Sequence, residues 1–322
     1  MDNYTFKVSD LDSQIDSLVK KGVTELYISD ENVSKNKNQL IKLLKLVQNK
    51  APQLFISIVV NASVIDKEIV MIASQLFCSF EIPLEIHEKG GKILFDKKFY
   101  ANKSRLLNDF GIVFGFIMSY ATVKGDTLKL FMDRLDFAIN QYPNHINFSD
   151  EEVHVSGCFS AQDIRYARDV SFACSSFYSE GRAVTWMLCV LKPLRIYPSR
   201  FFADFSEWQR CNNCDYKSGF IPEKENHKSL EKMQLLFIEQ KLEEKNCYQL
   251  YPLVKDLILL NGAISRASCK KEETILNLSY TPEDLFSEEI MNLESFIENV
   301  CMMECKIKVF FTEEGPDYEY LN

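Results

Sequence analysis

Leu54-Phe55-Ile56-Ser57-Ile58-Val59-Val60-Asn61 is the stretch that decides how the first half of the chain is read. Apart from Ser57 it is apolar up to Asn61, rich in Ile and Val, and too short for a helix. It therefore predicts a buried strand that ends at Asn61. Before it, Leu40, Leu43, Leu44 and Val47 recur at helical spacing, and Pro52 stops that helix. After it, a helix is expected over about Asp66 to Leu76.

The same alternation extends outward on both sides. Toward the N-terminus, Asp10 or Asp12 caps a helix carrying Leu11, Ile15, Leu18 and Val19, ended by Gly22. The short run Leu26-Tyr27-Ile28 reads as a strand that stops at Ser29-Asp30-Glu31-Asn32. Toward the C-terminus come a strand over Ser79 to Ile86, a turn at Gly90-Gly91 and a helix over Lys103 to Asn108. A strand over Ile112 to Met118, a helix over Asp126 to Asn140 and a short strand over His145 to Phe148 follow. Strands alternating with helices predict βαβ units and a parallel sheet. Right-handed crossovers leave two outcomes, a doubly wound sheet or part of a β/α barrel.

The pattern changes near Asp150. Ser160-Ala161-Gln162-Asp163 opens a helix bearing Ile164, Ala167, Val170, Phe172 and Cys174. Further helices are expected over Ala183–Leu191, Ser199–Gln209, Ser229–Lys241 and Tyr251–Leu260, with a long polar loop over Asn212 to His227. Ile307–Phe311 reads as a terminal strand. The expected organisation is an α/β domain over 1–150 and a mainly helical domain over 151–322.

The 322 residues are 46% hydrophobic and 26% charged, which is globular composition and excludes wholesale disorder. A net charge of −9 argues against a broad nucleic-acid-binding face. No uncharged stretch reaches the ~18 residues of a membrane span. Met-Asp-Asn-Tyr-Thr-Phe-Lys at the N-terminus lacks the apolar core of a signal peptide. The expectation is a cytoplasmic protein with reduced thiols, no nucleic-acid partner and no membrane contact.

In parallel α/β sheets, ligands bind at the carboxyl ends of the strands. The residues just past the expected strands are Asp30 and Glu31, Asn61, Glu85 and His87, and Ser119 and Tyr120. Carboxylates there can bind amino or hydroxyl groups or take part in proton transfer. The alternative is that Asp30 and Ser34 cap the next helix and Glu85 is a solvated strand end. No glycine-rich phosphate loop, zinc-protease motif or nucleophile elbow is present. His87, His145, His154 and His227 are scattered and read as structural or surface residues. Among ten cysteines, Cys211-x-x-Cys214 and Cys301-x-x-x-Cys305 offer a zinc site if the two segments meet, with ordinary packed thiols as the alternative.

The run from Asp12 to Asp66 resembles radical SAM enzymes of the type that often carries a cobalamin-binding domain. Lys21-Gly22-Val23, then Tyr27-Ile28-Ser29-Asp30-Glu31-Asn32, is similar to that family's helix, strand and acidic turn. Val60-Asn61 and Val64-Ile65-Asp66-Lys67-Glu68 are similar to its next unit. Glu81-Ile82-Pro83-Leu84-Glu85 resembles the strand that ends in a SAM-contacting glutamate. Phe116-Ile117-Met118-Ser119-Tyr120 through Gly125-Asp126-Thr127 resembles a later turn. Ala161 to Arg200, with Phe177-Tyr178-Ser179-Glu180-Gly181-Arg182, looks like one branch's helical extension. Pro83 and Ser119 stand where glycines are usual. The family's cluster-binding C-x-x-x-C-x-x-C loop has no counterpart, since the first cysteine is Cys78.

The resemblance implies a partial β/α barrel whose rim, Asp30, Glu31, Asn61, Glu85 and Ser119, keeps residual S-adenosylmethionine binding. Without the three thiolates it implies no iron–sulfur cluster of its own. The function expected is binding, as a partner or accessory subunit of another chain, such as an active radical SAM enzyme or its peptide substrate. One alternative is the C-terminal part of a radical SAM enzyme whose cluster comes from another chain or a preceding segment. A second is a zinc-binding protein. A missing first strand leaves a sheet edge, expected to be covered by the helical region, the N-terminal segment or a partner.

Overall fold

A computed structural model describes residues 10–149 and 153–321. The chain divides into two compact units, Met1–Ile164 and Arg165–Asn322. The domain boundary expected at residue 150 lies outside the described residues.

The first unit opens with α1 (Leu11–Lys20), which buries Leu11, Ile15 and Leu18, and β1 (Glu25–Ile28). Next come α2 (Glu31–Ser34), α3 (Lys37–Lys50), β2 (Phe55–Val59), α4 (Lys67–Ala73) and β3 (Cys78–Pro83). A hairpin of β4 (His87–Lys89) and β5 (Lys92–Leu94) turns at Gly90 and Gly91, both at positive φ as such two-residue turns require. Then α5 (Lys97–Asp109), β6 (Val113–Ser119), α6 (Leu128–Ile139) and β7 (His145–Ser149) complete the unit's sheet. Side chains of Asn36, Asp66, Asp96 and Thr127 cap α3, α4, α5 and α6.

The sheet order is β1-β2-β3-β6-β7, every pair parallel. Strand order thus follows chain order without reversal. Right-handed crossovers then put all connecting helices on the same side of the sheet. This selects the half-barrel over the doubly wound sheet. The side chains divide accordingly. Leu26, Ile28, Ile56, Ile58, Phe80, Ile82, Phe114, Phe116, Met118 and Ile146 share one parity and form the apolar outer face, of which the last nine are buried. The opposite parity forms an inner face of Tyr27, Ser57, Ser79, Glu81, Gly115, His145 and Asn147. β1 and β7 are the two edge strands of the sheet.

The second unit contains most of α7 (Ala161–Cys174), whose helix continues as a π-helical turn over Ser175–Ser179. It continues with α8 (Met187–Leu194), α9 (Pro198–Cys211), α10 (His227–Glu244) and α11 (Tyr251–Lys270). Phe177 sits at the centre of its core, edge-on to Trp186, Phe201, Phe205 and Phe237. A three-stranded antiparallel sheet of β8 (Thr274–Leu278), β9 (Cys305–Thr312) and β10 (Gly315–Tyr320) packs on α11, with α12 (Pro282–Leu285) and α13 (Leu293–Asn299) between β8 and β9. The strand expected at Ile307–Phe311 is therefore the middle of three rather than a lone terminal one. β10 was hidden by its turn-like Gly315-Pro316-Asp317, which an edge strand tolerates. The expected loop over Asn212 to His227 holds two short 3-10 turns, and His227 belongs to α10. No described helix is long and apolar enough to cross a membrane.

A buried polar network ties α10 to α11. Arg266 donates from Nη1 to Glu231 Oε2 at 2.7 Å and to His227 Nδ1 at 3.1 Å. Gly262 leaves room for it: a Cβ there would meet Glu231 Oε2 at 2.0 Å. Burial, then the charges of Arg182 and Arg266, hold the His227 imidazole down to about 4. The unfolded chain protonates this histidine near pH 6.5, the folded one near pH 4. His227 thus contributes its full stability above pH ~6.5 and loses it as the pH falls toward 4, by up to about 3 kcal/mol. In urea unfolding between pH 7.5 and pH 4.5, His227→Gln is expected to flatten this acid-side loss. An unchanged pH slope in the variant would contradict the assignment.

Candidate functional site

The carboxyl-end rim is partly occupied by local work. Asp30 caps α2, its Oδ1 accepting from the Asn32 amide at 2.8 Å. Glu31 pairs with Lys35 at 3.0 Å in the open. Asp30 follows the capping alternative, whereas Ser34 ends α2 and Asn36 caps α3 in its place. Asn61 accepts from the Ser63 amide and hydroxyl, and its Nδ2 donates to Glu85 Oε2 at 3.4 Å. The Glu85 amide is held by Tyr100, whose hydroxyl also donates to the Pro83 carbonyl. Burial pushes that phenol up to about 12. Lys35 is raised chiefly by its hydrogen bond to Glu31, and more weakly by the charge of Glu85. So the rim brings Asn61 and Glu85 together, with the Glu31–Lys35 pair in their field.

Ser119 makes different contacts. Its hydroxyl lies 3.4 Å from Thr122 Oγ1, and its carbonyl accepts from Arg134 Nη2 at 2.7 Å. Arg134 also donates to the Leu84 carbonyl at 3.2 Å and lies 3.6 Å from Asp126. This fully buried guanidinium ties the carboxyl ends of β3 and β6. Asp126 accepts from the Ala121 and Thr127 amides, which holds the turn before α6.

The densest polar constellation lies deeper, on the inner face. Glu81 is 2% exposed at the middle of β3. Its Oε1 accepts from Ser57 at 3.2 Å and Ser79 at 3.3 Å, and its Oε2 accepts from Asn147 Nδ2 at 3.2 Å. His145 Nε2 lies 2.8 Å from Oε2 and 3.0 Å from Oε1. Glu81 and His145 are two strands apart, with Gly115 of β6 in register between them. A Cβ at Gly115 would stand 2.2 Å from His145 Nε2, so only glycine lets the imidazole cross. Tyr27 of β1 is raised by burial and by the charge of Glu81.

Sequence reasoning missed this site. Glu81 entered it only as part of a motif, and His145 only as a scattered histidine. The available signal was strand parity, since Ser57, Ser79, Glu81, Gly115, His145 and Asn147 all share the inner-face parity.

The zinc expectation is corrected. Among the described residues, no three His, Cys, Asp or Glu side chains come together to hold a metal. Cys211 closes α9 and is exposed, while Cys214 donates to the Gln209 carbonyl, its thiol pushed up to about 11 by burial. Cys301 is exposed, and Cys305 opens β9 and donates to the Tyr280 carbonyl. Each pair serves its own turn or strand.

No family model matches the chain, and no curated protein matches it. Solved structures of the radical S-adenosylmethionine methyltransferase TsrM from Kitasatospora setae are similar to part of it. The form with cobalamin and a 4Fe-4S cluster bound is 15% identical with a TM-score of 0.36, covering 44% of this chain and 30% of that one. The form with tryptophan substrate and aza-SAM bound is 14% identical with a TM-score of 0.37, covering 52% of this chain and 34% of that one. The chain therefore spans about a third of the TsrM length.

Gly115→Ala is expected to cost about 1–3 kcal/mol by forcing the imidazole off the carboxylate. In urea unfolding, the double variant Gly115→Ala/His145→Ser should lose less than the sum of the single variants, because it removes both colliding groups. Strict additivity would show that the two sites do not meet.

Proposed function

We propose that this chain is a radical SAM-like protein that works by binding, without an iron–sulfur cluster of its own, as an accessory or partner subunit of another chain. The half-barrel, residues 1–150, is its ligand-binding domain, and residues 151–322 are its extension. The observation that carries the reading is a polar inner face centred on a fully hydrogen-bonded, buried Glu81, on a unit with few thiols. That unit contains two cysteines, Cys78 and Cys158, one fewer than a three-thiolate cluster loop requires. Burial pushes the Cys78 thiol up to about 12, which disfavours the thiolate a metal needs.

The motifs from Lys21 to Asn32 and from Glu81 to Glu85 supply the ligand class, S-adenosylmethionine. Its ammonium and ribose hydroxyls suit the paired Asn61 and Glu85 at the strand ends. An enzyme that borrows its cluster from another chain would use the same face.

The test is calorimetric titration of the purified chain with S-adenosylmethionine, beside anaerobic reconstitution with iron and sulfide. Saturable binding, weakened about tenfold or more in Glu85→Ala, is expected, consistent with the loss of one charge-assisted contact. Reconstitution should give no iron–sulfur absorbance. Stoichiometric cluster uptake by the chain alone would favour the enzyme reading instead.

A further inference from the structure

The Glu81–His145 pair has the form of an oriented histidine. The Glu81 side chain is 3% exposed and that of His145 is 29% exposed. One end of the pair is therefore sealed in the sheet, and the other reaches the open inner face. An ionised carboxylate only accepts hydrogen bonds. Ser57 and Asn147 donate to Glu81, and the single Ser79 hydroxyl hydrogen is shared between Ser57 Oγ at 3.1 Å and Glu81 Oε1 at 3.3 Å. The imidazole nitrogen against it, Nε2, then carries the hydrogen. In a neutral ring this leaves Nδ1 as the acceptor.

A purely structural pair would be enclosed. Here neutral hydroxyl and amide donors already reach both oxygens of Glu81, and Gly115 gives up its side chain so that a further, ionisable group can reach across a strand. What His145 adds is a lone pair, fixed in direction, on the side away from Glu81. The same face carries the Asn147 amide, the Ser57 hydroxyl and the exposed Tyr27 ring, all uncharged.

We propose that His145 is a ligand-contacting residue of the inner face, its Nδ1 accepting a hydrogen bond from an ammonium or hydroxyl donor of a small polar ligand. Glu81 is its positioning residue. If the ligand's ammonium gives up its proton, the N–H bond breaks and an Nδ1–H bond forms. The products are a neutral amine and an imidazolium paired with the Glu81 carboxylate, so charge and protons balance without a co-reactant. The ligand class rests on the binding reading above, but the tautomer and the exposure of the His145 side chain do not.

The test uses the full chain labelled with 15N-histidine. Two-bond 15N–1H spectra near pH 7.5 should show the Nε2–H tautomer at His145, with Nδ1 at the shift of a bare acceptor. Glu81→Gln should move the two nitrogens toward each other as both tautomers populate, a change that a merely space-filling role would not produce. Diethyl pyrocarbonate, which attacks an unprotonated ring nitrogen, should modify His145 as read by peptide mass spectrometry, and millimolar S-adenosylmethionine should suppress that modification.

A wild-type Nδ1–H tautomer, or a His145 inert to the reagent, would overturn the proposal even if Glu81→Gln fails to fold. Reactivity without protection would leave His145 as the contact residue and reject S-adenosylmethionine as its ligand. S-adenosylmethionine binding with an inert His145 would keep the binding function and discard this site.

Discussion

A carboxylate in the middle of a sheet constrains everything around it. Glu81 is too buried to keep water, and an uncompensated buried charge is costly enough to unfold a domain of ordinary stability. Its neighbours are accordingly donors. Ser57 comes from the strand before, Ser79 from the same strand, and Asn147 and His145 from two strands beyond. These strands must be parallel and in this register for the four to meet on one face. A slip of one residue in β7 would put Ile146 where His145 stands and leave Glu81 facing an alkyl group. Gly115 is the geometric condition for that arrangement, because any Cβ on β6 would sit inside the imidazole.

The bare inner face itself follows from topology. Strand order that never reverses, with crossovers of one hand, places every connecting helix on the outer side. The outer parity can then be wholly apolar, and the inner parity is free to be polar. Doubly wound sheets lack this freedom, because helices cover both faces and both parities must be apolar. The chemistry of the inner face and the half-barrel shape are therefore one fact seen at two scales.

Much of this was legible in the sequence. Strands alternating with helices are set by local periodicity, and the elements around Leu54–Val60 stand close to where the pattern places them. Asp30 as a helix cap was also legible, because capping is a short-range interaction between a side chain and an amide two residues on. Glu81 and His145 are 64 residues apart, and no local signal connects them. Ligands in parallel sheets bind past strand ends, whereas Glu81 and His145 lie within β3 and β7. Yet Ser57 was the odd polar residue in an apolar run, Ser79 and Glu81 alternate with Cys78, Phe80 and Ile82, and Gly115 interrupts a β-branched and aromatic strand. Read by parity rather than by position, these residues mark one polar stripe. The three-stranded sheet of the second unit was harder, because its pairing is antiparallel across two inserted helices and its edge strand begins like a turn.

Each unit solves the same problem with the same device, and the difference between them separates scaffold from site. In the second unit, Gly262 opens space for Glu231 as Gly115 does for His145, and Arg266 and His227 close the network. There Arg266 and Glu231 are enclosed, their side chains 1% and 8% exposed, and His227 is held neutral, with Glu272 at 3.9 Å from Arg266 Nε leading outward. Such a network can only fix the packing of α10 on α11. In the first unit the network opens onto the inner face through Asn147, His145 and Ser57, of which only His145 is ionisable. The glycine at Gly115 brings one oriented imidazole to the inner face as well as a partner to Glu81. What the network gains is a nitrogen presented to whatever the inner face receives.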